Sequence, residues 1–385
     1  MKHLSTIPKT GNGTKLPVGL LFSKESITAP HELTQRLATL LAIKEVNESG
    51  GIFGREIVPV EVSIGATPES YAAAARFLCD DHGARIFFGT HLSSSRKAVL
   101  PIVEAKHSLL FYSTLYEGFE FSANCFYSGA APNQNAVQLA RHTFRNHGTR
   151  IFLVGTNYIF AHESNRIMRD LALQADGEVV GEIYLSFGAA DEEFADAIRR
   201  AEDAAPDAVF STVVGRDIPQ LYRAFDRTRM RKNGVSIVSL VTTETDVRDI
   251  GADAAEGHIS SAPYFRNIKT SENRRFVDDF EREFGDLHPP TCHAEAAYFQ
   301  VKMLAAAASV GTSDGIDQVR AAVKRASVVA PQGAVAIDAQ THHTSLWPRI
   351  ARVNAIGEFE ILEEEKLAIS ASPFMMWHTV DDAVA

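Results

Sequence analysis

Short apolar runs and amphipathic stretches take turns along this chain. Residues 17–23, PVGLLFS, form a brief continuous apolar run, the pattern of a strand covered on both faces. After the polar residues 24–30, Leu33, Leu37, Leu40, Leu41 and Val46 recur at helical spacing. That pattern stops at Glu48-Ser49-Gly50-Gly51, where glycine can cap the helix. Residues 57–63 alternate and are β-branched, which predicts a strand, and Pro68-Glu69 opens a helix to about 81. A strand is predicted at 86–90, a helix at 94–107 and a strand at 109–112. Alternation at this spacing implies a parallel sheet with right-handed crossovers.

After Phe126-Tyr127-Ser128 the alternation restarts. Helices are predicted at 132–147, 163–175, 191–204 and 219–230, with strands at 150–155, 178–185, 208–213 and 235–240. The late chain adds a strand at 258–264, helices at 271–284, 293–308 and 315–325, and strand-like runs at 333–337, 348–353 and 358–362. The pattern predicts an α/β chain with two lobes of similar size. Open parallel sheets gather ligands at the carboxyl ends of their strands, so one ligand between the lobes is expected.

At 385 residues, the chain exceeds the size at which single cores stop growing, about 250–300 residues. With 38 basic against 48 acidic residues, a net charge of −10 argues against a nucleic-acid binder that works through its global field. No apolar run reaches the roughly 18 residues of a membrane span. Residues 1–15, MKHLSTIPKTGNGTK, read as a polar tail without the apolar centre of a secretory leader, so a cytoplasmic location is expected. Cys79, Cys125 and Cys292 are scattered in no CxxC pattern and read as small buried side chains.

Several chemistries find no carrier. There is no G-x-G-x-x-G after the first strand and no phosphate-binding G-x-x-x-x-G-K-[ST], so no nucleotide cofactor is expected. H-E-x-x-H and G-x-S-x-G are also missing, and no cofactor, metal or enzymatic turnover is expected. His342-His343 have no carboxylate or cysteine cluster beside them, and Glu363-Glu364-Glu365 reads as a solvated turn. Three loops stand out. Residues 89–97, GTHLSSSRK, join a strand to a helix; they are an ordinary cap or a set of N–H and hydroxyl donors for a small polar ligand. Residues 111–120, FYSTLYEGFE, and 155–164, GTNYIFAHES, begin at strand ends and mix rings with hydroxyls. Three such loops from two lobes point to a cleft.

RKAVLPIVE (96–104), YEGFE (116–120), APNQN (131–135), ESNRIMRDL (163–171), VFSTVVG (209–215), APYF (262–265) and AEAAY (294–298) occur in order along nearly the whole chain. On these segments the chain resembles the amide-sensing, AmiC-like negative regulators of bacterial aliphatic amidase operons. These belong to the type I periplasmic-binding-protein fold, in the branch for branched-chain amino acids, urea and short-chain amides. The resemblance implies two Rossmann-like lobes with parallel sheets: 16–127 plus 263–331, and 128–262 plus 332–385. Crossings are expected near Ser128, Pro263 and Pro331.

The resemblance also places a short amide among Ser93, Tyr112, Thr114 and Tyr158, with the serine hydrogen-bonded to the ligand. Three further pocket positions depart from the family pattern: His91 stands for a tyrosine, Leu115 for a proline and Phe160 for a tyrosine. An amide is planar and neutral, with one good acceptor and two donors. Ser93 and neighbouring N–H groups are expected to meet its carbonyl, and a tyrosine hydroxyl to accept from its NH₂. An unmatched buried polar group costs roughly 1–3 kcal/mol, which rejects acid and alcohol analogues.

The leading expectation is a cytosolic sensor that controls an RNA-binding transcription antiterminator, without touching nucleic acid or membrane itself and possibly as a homo-oligomer. The alternative is the substrate-binding component of an ABC importer for amides, urea or amino acids. An amide-hydrolysing enzyme is the third possibility, disfavoured by the missing motifs.

Overall fold

The computed structural model describes residues 15–311 and 314–375. The predicted tail therefore lies outside the described residues, apart from Lys15. Five strands build the first sheet: β1 (Lys15–Leu21), β2 (Glu56–Glu61), β3 (Ile86–Gly89), β4 (Leu109–Tyr112) and β5 (Cys125–Tyr127). They are parallel throughout, in the order β2-β1-β3-β4-β5. The second sheet starts with β6 (Arg150–Thr156), β7 (Glu178–Leu185), β8 (Ala208–Thr212), β9 (Ser236–Ser239) and β10 (Ile259–Ala262). A hairpin of β11 (Ser327–Ala330) and β12 (Gly333–Ala336) stands apart. Then β13 (Arg349–Val353) and β14 (Phe359–Glu364) add antiparallel to β10, giving the order β14-β13-β10-β9-β8-β6-β7. This is the two-lobed α/β architecture of type I binding proteins.

The chain passes between the sheets after β5, after β10 and after β12. Following β10, the helices Ser271–Phe284 and Cys292–Val310 pack on the long helix Ala29–Glu48 of the first lobe. Tyr298 and Lys302 reach Glu45 there, both at 2.6 Å. Before β13, Thr344 N donates to Tyr127 O at 3.0 Å, which ties the returning segment to the edge strand β5.

Local chemistry explains several element ends. Thr67 caps the helix Pro68–His82 by accepting from Ser70 N, and Gly83 ends it in the left-handed conformation. Strands β3 and β4 are buried along their whole length, as parallel strands covered on both faces require. The helix predicted from 163 starts earlier, as Ile159–Gln174, so Phe160 sits in its first turn. The helix predicted at 219–230 is two, Ile218–Asp226 and Arg229–Lys232, because Thr228 breaks the run and caps the second. Helices Glu244–Ile250 and Ala252–Ala255, and strands β5 and β11, are too short for periodicity to reveal.

Candidate ligand-binding site

In each sheet the strand order reverses once, and the crevice at such a reversal is where open α/β sheets bind ligands. The first reversal lies between β1 and β3, the second between β6 and β8. The two face each other across a cavity of about 20 Å³. It is lined by His31, His91, Ser93, Thr114 and Leu115 from the loops and helix starts after β1, β3 and β4, and by Tyr158, Phe160, Val214 and Val241 from those after β6, β8 and β9. His293, in the first turn of the helix Cys292–Val310, completes the wall. A second void of about 10 Å³ lies behind Leu115 and His293, toward Ser128, Gly129 and Pro263 where the chain changes lobes. At this size the cleft has room for about one water.

Of the seven residues singled out from sequence, Ser93, Thr114, Tyr158, His91, Leu115 and Phe160 line this cavity. Tyr112 does not. Its hydroxyl donates to His91 O at 2.8 Å, and its ring lies under the Arg96 guanidinium, so it holds the loop from behind. That loop is forced into the cleft by two unusual residues. Gly89 has φ +126°, and a Cβ there would lie 2.6 Å from Leu21 O. Thr90 follows at φ +55°, a costly conformation for a β-branched residue, roughly 1–3 kcal/mol.

Ser93 differs from expectation in what its hydroxyl does. It donates to Glu117 Oε2, and Arg96 Nη1 donates to Ser93 Oγ at 3.3 Å. Both ionic partners are buried, and Arg96 also binds Glu120 at 2.7 Å. Burial resists the charge on Glu120, yet Arg96 and Lys97 pull its pKa down to about 2. The Ser93 proton is thus committed, which leaves its oxygen with acceptor capacity and no proton for a carbonyl.

The histidines are the residues that sequence reading missed, apart from His91. His31, His91 and His293 cluster with ring centroids 5.0–6.0 Å apart. His31 Nε2 lies 2.8 Å from Asp246 Oδ1, a buried pair that crosses from the first lobe to the second. Burial works against a charge on His31, but Asp246, Glu32 and Asp249 together raise its pKa. His91 and His293 go the other way: burial, then their imidazole neighbours, keep them neutral, with His293 at about 3. Among the described residues no group of three or more His, Cys, Asp or Glu side chains is placed to hold a metal ion. His342 and His343 stack on Phe126 and Tyr127 as packing residues, and burial lowers both to about 4.

The second-lobe wall is plainer. Tyr158 sits among Phe160 and Phe187 at 5.9 and 5.2 Å, and burial holds its phenol protonated. A signal for the missed His31 does exist in the sequence. The apolar stripe of its helix is interrupted by His31, Glu32, Thr34, Gln35 and Thr39, all buried. Nothing local marks His293 or Asp246.

Comparison with known proteins agrees with the two-lobed fold. Residues 16–379 match the periplasmic binding protein domain family. A solute-binding protein of an ABC transporter from R. palustris in complex with benzoate superposes with TM-score 0.83 at 19% identity, over 94% of this chain and 98% of that one. Another, from Rhodopseudomonas palustris HaA2 with p-hydroxybenzoic acid, gives 0.84 at 19%, over 94% and 99%. The branched-chain amino acid binding protein LivJ from Streptococcus pneumoniae with isoleucine gives 0.79 at 15%, over 92% and 100%. A curated limonene hydroxylase of Geobacillus stearothermophilus is 26% identical over 134 residues, 35% of this chain, and the chain spans only 24% of its length. So short a match carries no activity across. With both sheets and the cleft inside the matched residues, the chain belongs to the periplasmic binding protein family, in its type I two-lobed form.

Proposed function

We propose that this protein captures a small uncharged amide-class solute between its lobes and hands it to an importer, as a solute-binding component. The observation that carries the ligand class is the polar inventory of the cavity. Its walls offer neutral donors and acceptors from Ser93, Thr114, Tyr158, His91 and His293. Among the described residues the one ion pair at this cavity, His31–Asp246, is already made. A carboxylate would face the lone pairs of Ser93 and His91, and a zwitterion would find no second free charge. The small closed volume favours a short amide or urea over the aromatic acids of the R. palustris proteins. Delivery to an importer is supported by the structural neighbours, which are transporter solute-binding proteins.

The second reading is the amide sensor of an amidase operon, located in the cytoplasm and holding an RNA-binding antiterminator. It is favoured by the segments YEGFE, APNQN and FSTVVG in their order. In both readings the lobes swing about the three crossings, and a ligand shifts the open–closed balance by its differential affinity; a tenfold difference supplies about 1.4 kcal/mol.

The test is a thermal-shift panel of short amides, ureas, amino acids and benzoates, followed by affinity capture with and without the stabilising compound. A short amide or urea is expected to raise Tm. No shift with any compound at millimolar concentration would overturn ligand capture. A captured permease supports the importer, and a captured RNA-binding protein released by ligand supports the sensor.

A further inference from the structure

Each polar side chain around the cavity has an outer partner that decides which of its atoms is left for a ligand. Ser93 has given its proton to Glu117 and already accepts from Arg96, so its Oγ retains acceptor capacity only. His91 Nδ1 lies 2.8 Å from Gln35 Oε1, an oxygen that can only accept, so Nδ1 carries hydrogen and Nε2 of the neutral ring is a bare acceptor. The same Gln35 turns its Nε2 to Ser113 Oγ and Thr114 Oγ1, at 2.8 and 3.0 Å, which leaves the Thr114 proton unspent. On the other side His31 Nε2 is held by Asp246 Oδ1 at 2.8 Å. The second oxygen of Asp246 accepts from Thr243 N and Oγ1, so the carboxylate is fixed. His31 Nδ1 has no partner among the described residues. The carboxylates behind His31 favour its protonated form, in which Nδ1 is a donor.

We propose that His31 and His91 are specificity-determining residues that orient the ligand: its nitrogen end donates to Ser93 Oγ and His91 Nε2, and its oxygen end accepts from His31 and Thr114. The acceptors Ser93 Oγ and His91 Nε2 and the donors His31 and Thr114 line one small chamber, so a ligand must carry both kinds of group. His293 stands edge-on to His91, ring centroids 5.0 Å apart, and fixes that ring's tilt. Glu117 and Gln35, neither of which lines the cavity, are positioning residues, since they choose which atoms Ser93 and His91 present. The inference rests on the amide reading above and adds a direction to it.

The test uses the full chain and calorimetry with propionamide and 2-butanone, in which a methyl replaces the NH₂ at nearly equal size. The native protein is expected to bind the ketone at least about tenfold more weakly, about 1.4 kcal/mol. In the double variant Ser93→Ala, His91→Phe that penalty is expected to shrink to within about threefold. His31→Asn is expected to weaken both compounds while leaving their ratio unchanged, because it acts at the oxygen end. The ¹⁵N spectrum of the ligand-free native protein is expected to show His91 as the Nδ1–H tautomer, which needs neither variant nor ligand. An Nε2–H tautomer, or a ketone penalty that persists in the double variant, overturns the orientation while amide binding stands. No binding of propionamide or any other amide removes the functional reading, and the orientation with it.

Discussion

The first-lobe wall of the cleft, around Ser93, is held by buried charges, whereas the second-lobe wall, around Tyr158, is held by rings. Behind Ser93 stand Arg96, Glu117 and Glu120, with Tyr112 and Tyr116 under the guanidinium at 4.6 and 4.8 Å. Behind Tyr158 stand Phe160 and Phe187, and no hydrogen bond of its hydroxyl exists among the described residues. The difference assigns the two lobes different work. A fixed network gives the first wall a definite pattern of donors and acceptors, which in the proposed function would read a ligand's polarity. The second wall supplies shape and apolar cover, and in the proposed function its phenol would complete the contacts of a ligand held by the first wall. The His31–Asp246 pair bolts the two together at the cavity edge.

The sharpest break of this comparison is in stability. Removing one member of a buried ionic cluster leaves uncompensated charge, so Arg96→Met is expected to cost about 3–5 kcal/mol. Phe160→Leu, a hydrophobic exchange in the other wall, is expected to cost under about 1.5 kcal/mol. Urea unfolding of the two variants reads both values, and similar losses would erase the distinction between the walls. The next effect is on binding. Ser93→Ala and Tyr158→Ala are each expected to weaken an amide about tenfold or more, about 1.4 kcal/mol. Isothermal titration should further show Tyr158→Phe weakening it less than Tyr158→Ala, since the ring remains. Unchanged affinity in both alanine variants would place the ligand elsewhere.

The pH dependence has a sign that follows from buried groups. Burial raises Glu295 to about 8 and Glu244 to about 7, so each holds a proton in the folded chain that the unfolded chain has released. Stability from these groups is complete below the ordinary carboxylate range, about 4.3, and is lost as pH rises through 7 and 8. His31, also raised, loses its contribution in the same direction above its unfolded value of about 6.5. His293 and His258, lowered to about 3, act oppositely, but their effect is complete once the pH passes about 6.5. Thermal melts are therefore expected to show Tm falling between pH 6.5 and 8.5, and Glu295→Gln is expected to flatten that fall. A Tm that climbs across this interval would contradict the assignment.

How much of this was legible in the sequence divides along similar lines. The strands and the loops at their carboxyl ends announce themselves because a parallel strand buried on both faces is a short apolar run, and its exit loop is polar. The loops that carry Ser93, Thr114 and Tyr158 stand out for that reason, whereas the residues themselves are named by the family resemblance. Tyr112 was misread because its position at the end of β4 says where the chain goes but not that the hydroxyl turns back to His91 O. The true polarity of Ser93 depends on Glu117, 24 residues away, and the identity of that partner is a tertiary fact. His31, Asp246 and His293 meet only because three separate crossings fold both lobes onto one cavity, the first two being 215 positions apart in sequence. No local pattern carries such a meeting.

The claim on which the rest depends is that the cleft takes an uncharged polar solute and refuses its acid. The most direct measurement is calorimetric titration of the native protein with propionamide and with propionate at pH 7.5. The structure predicts that propionamide binds and that propionate binds at least about tenfold more weakly, about 1.4 kcal/mol. Equal or tighter binding of propionate would contradict it.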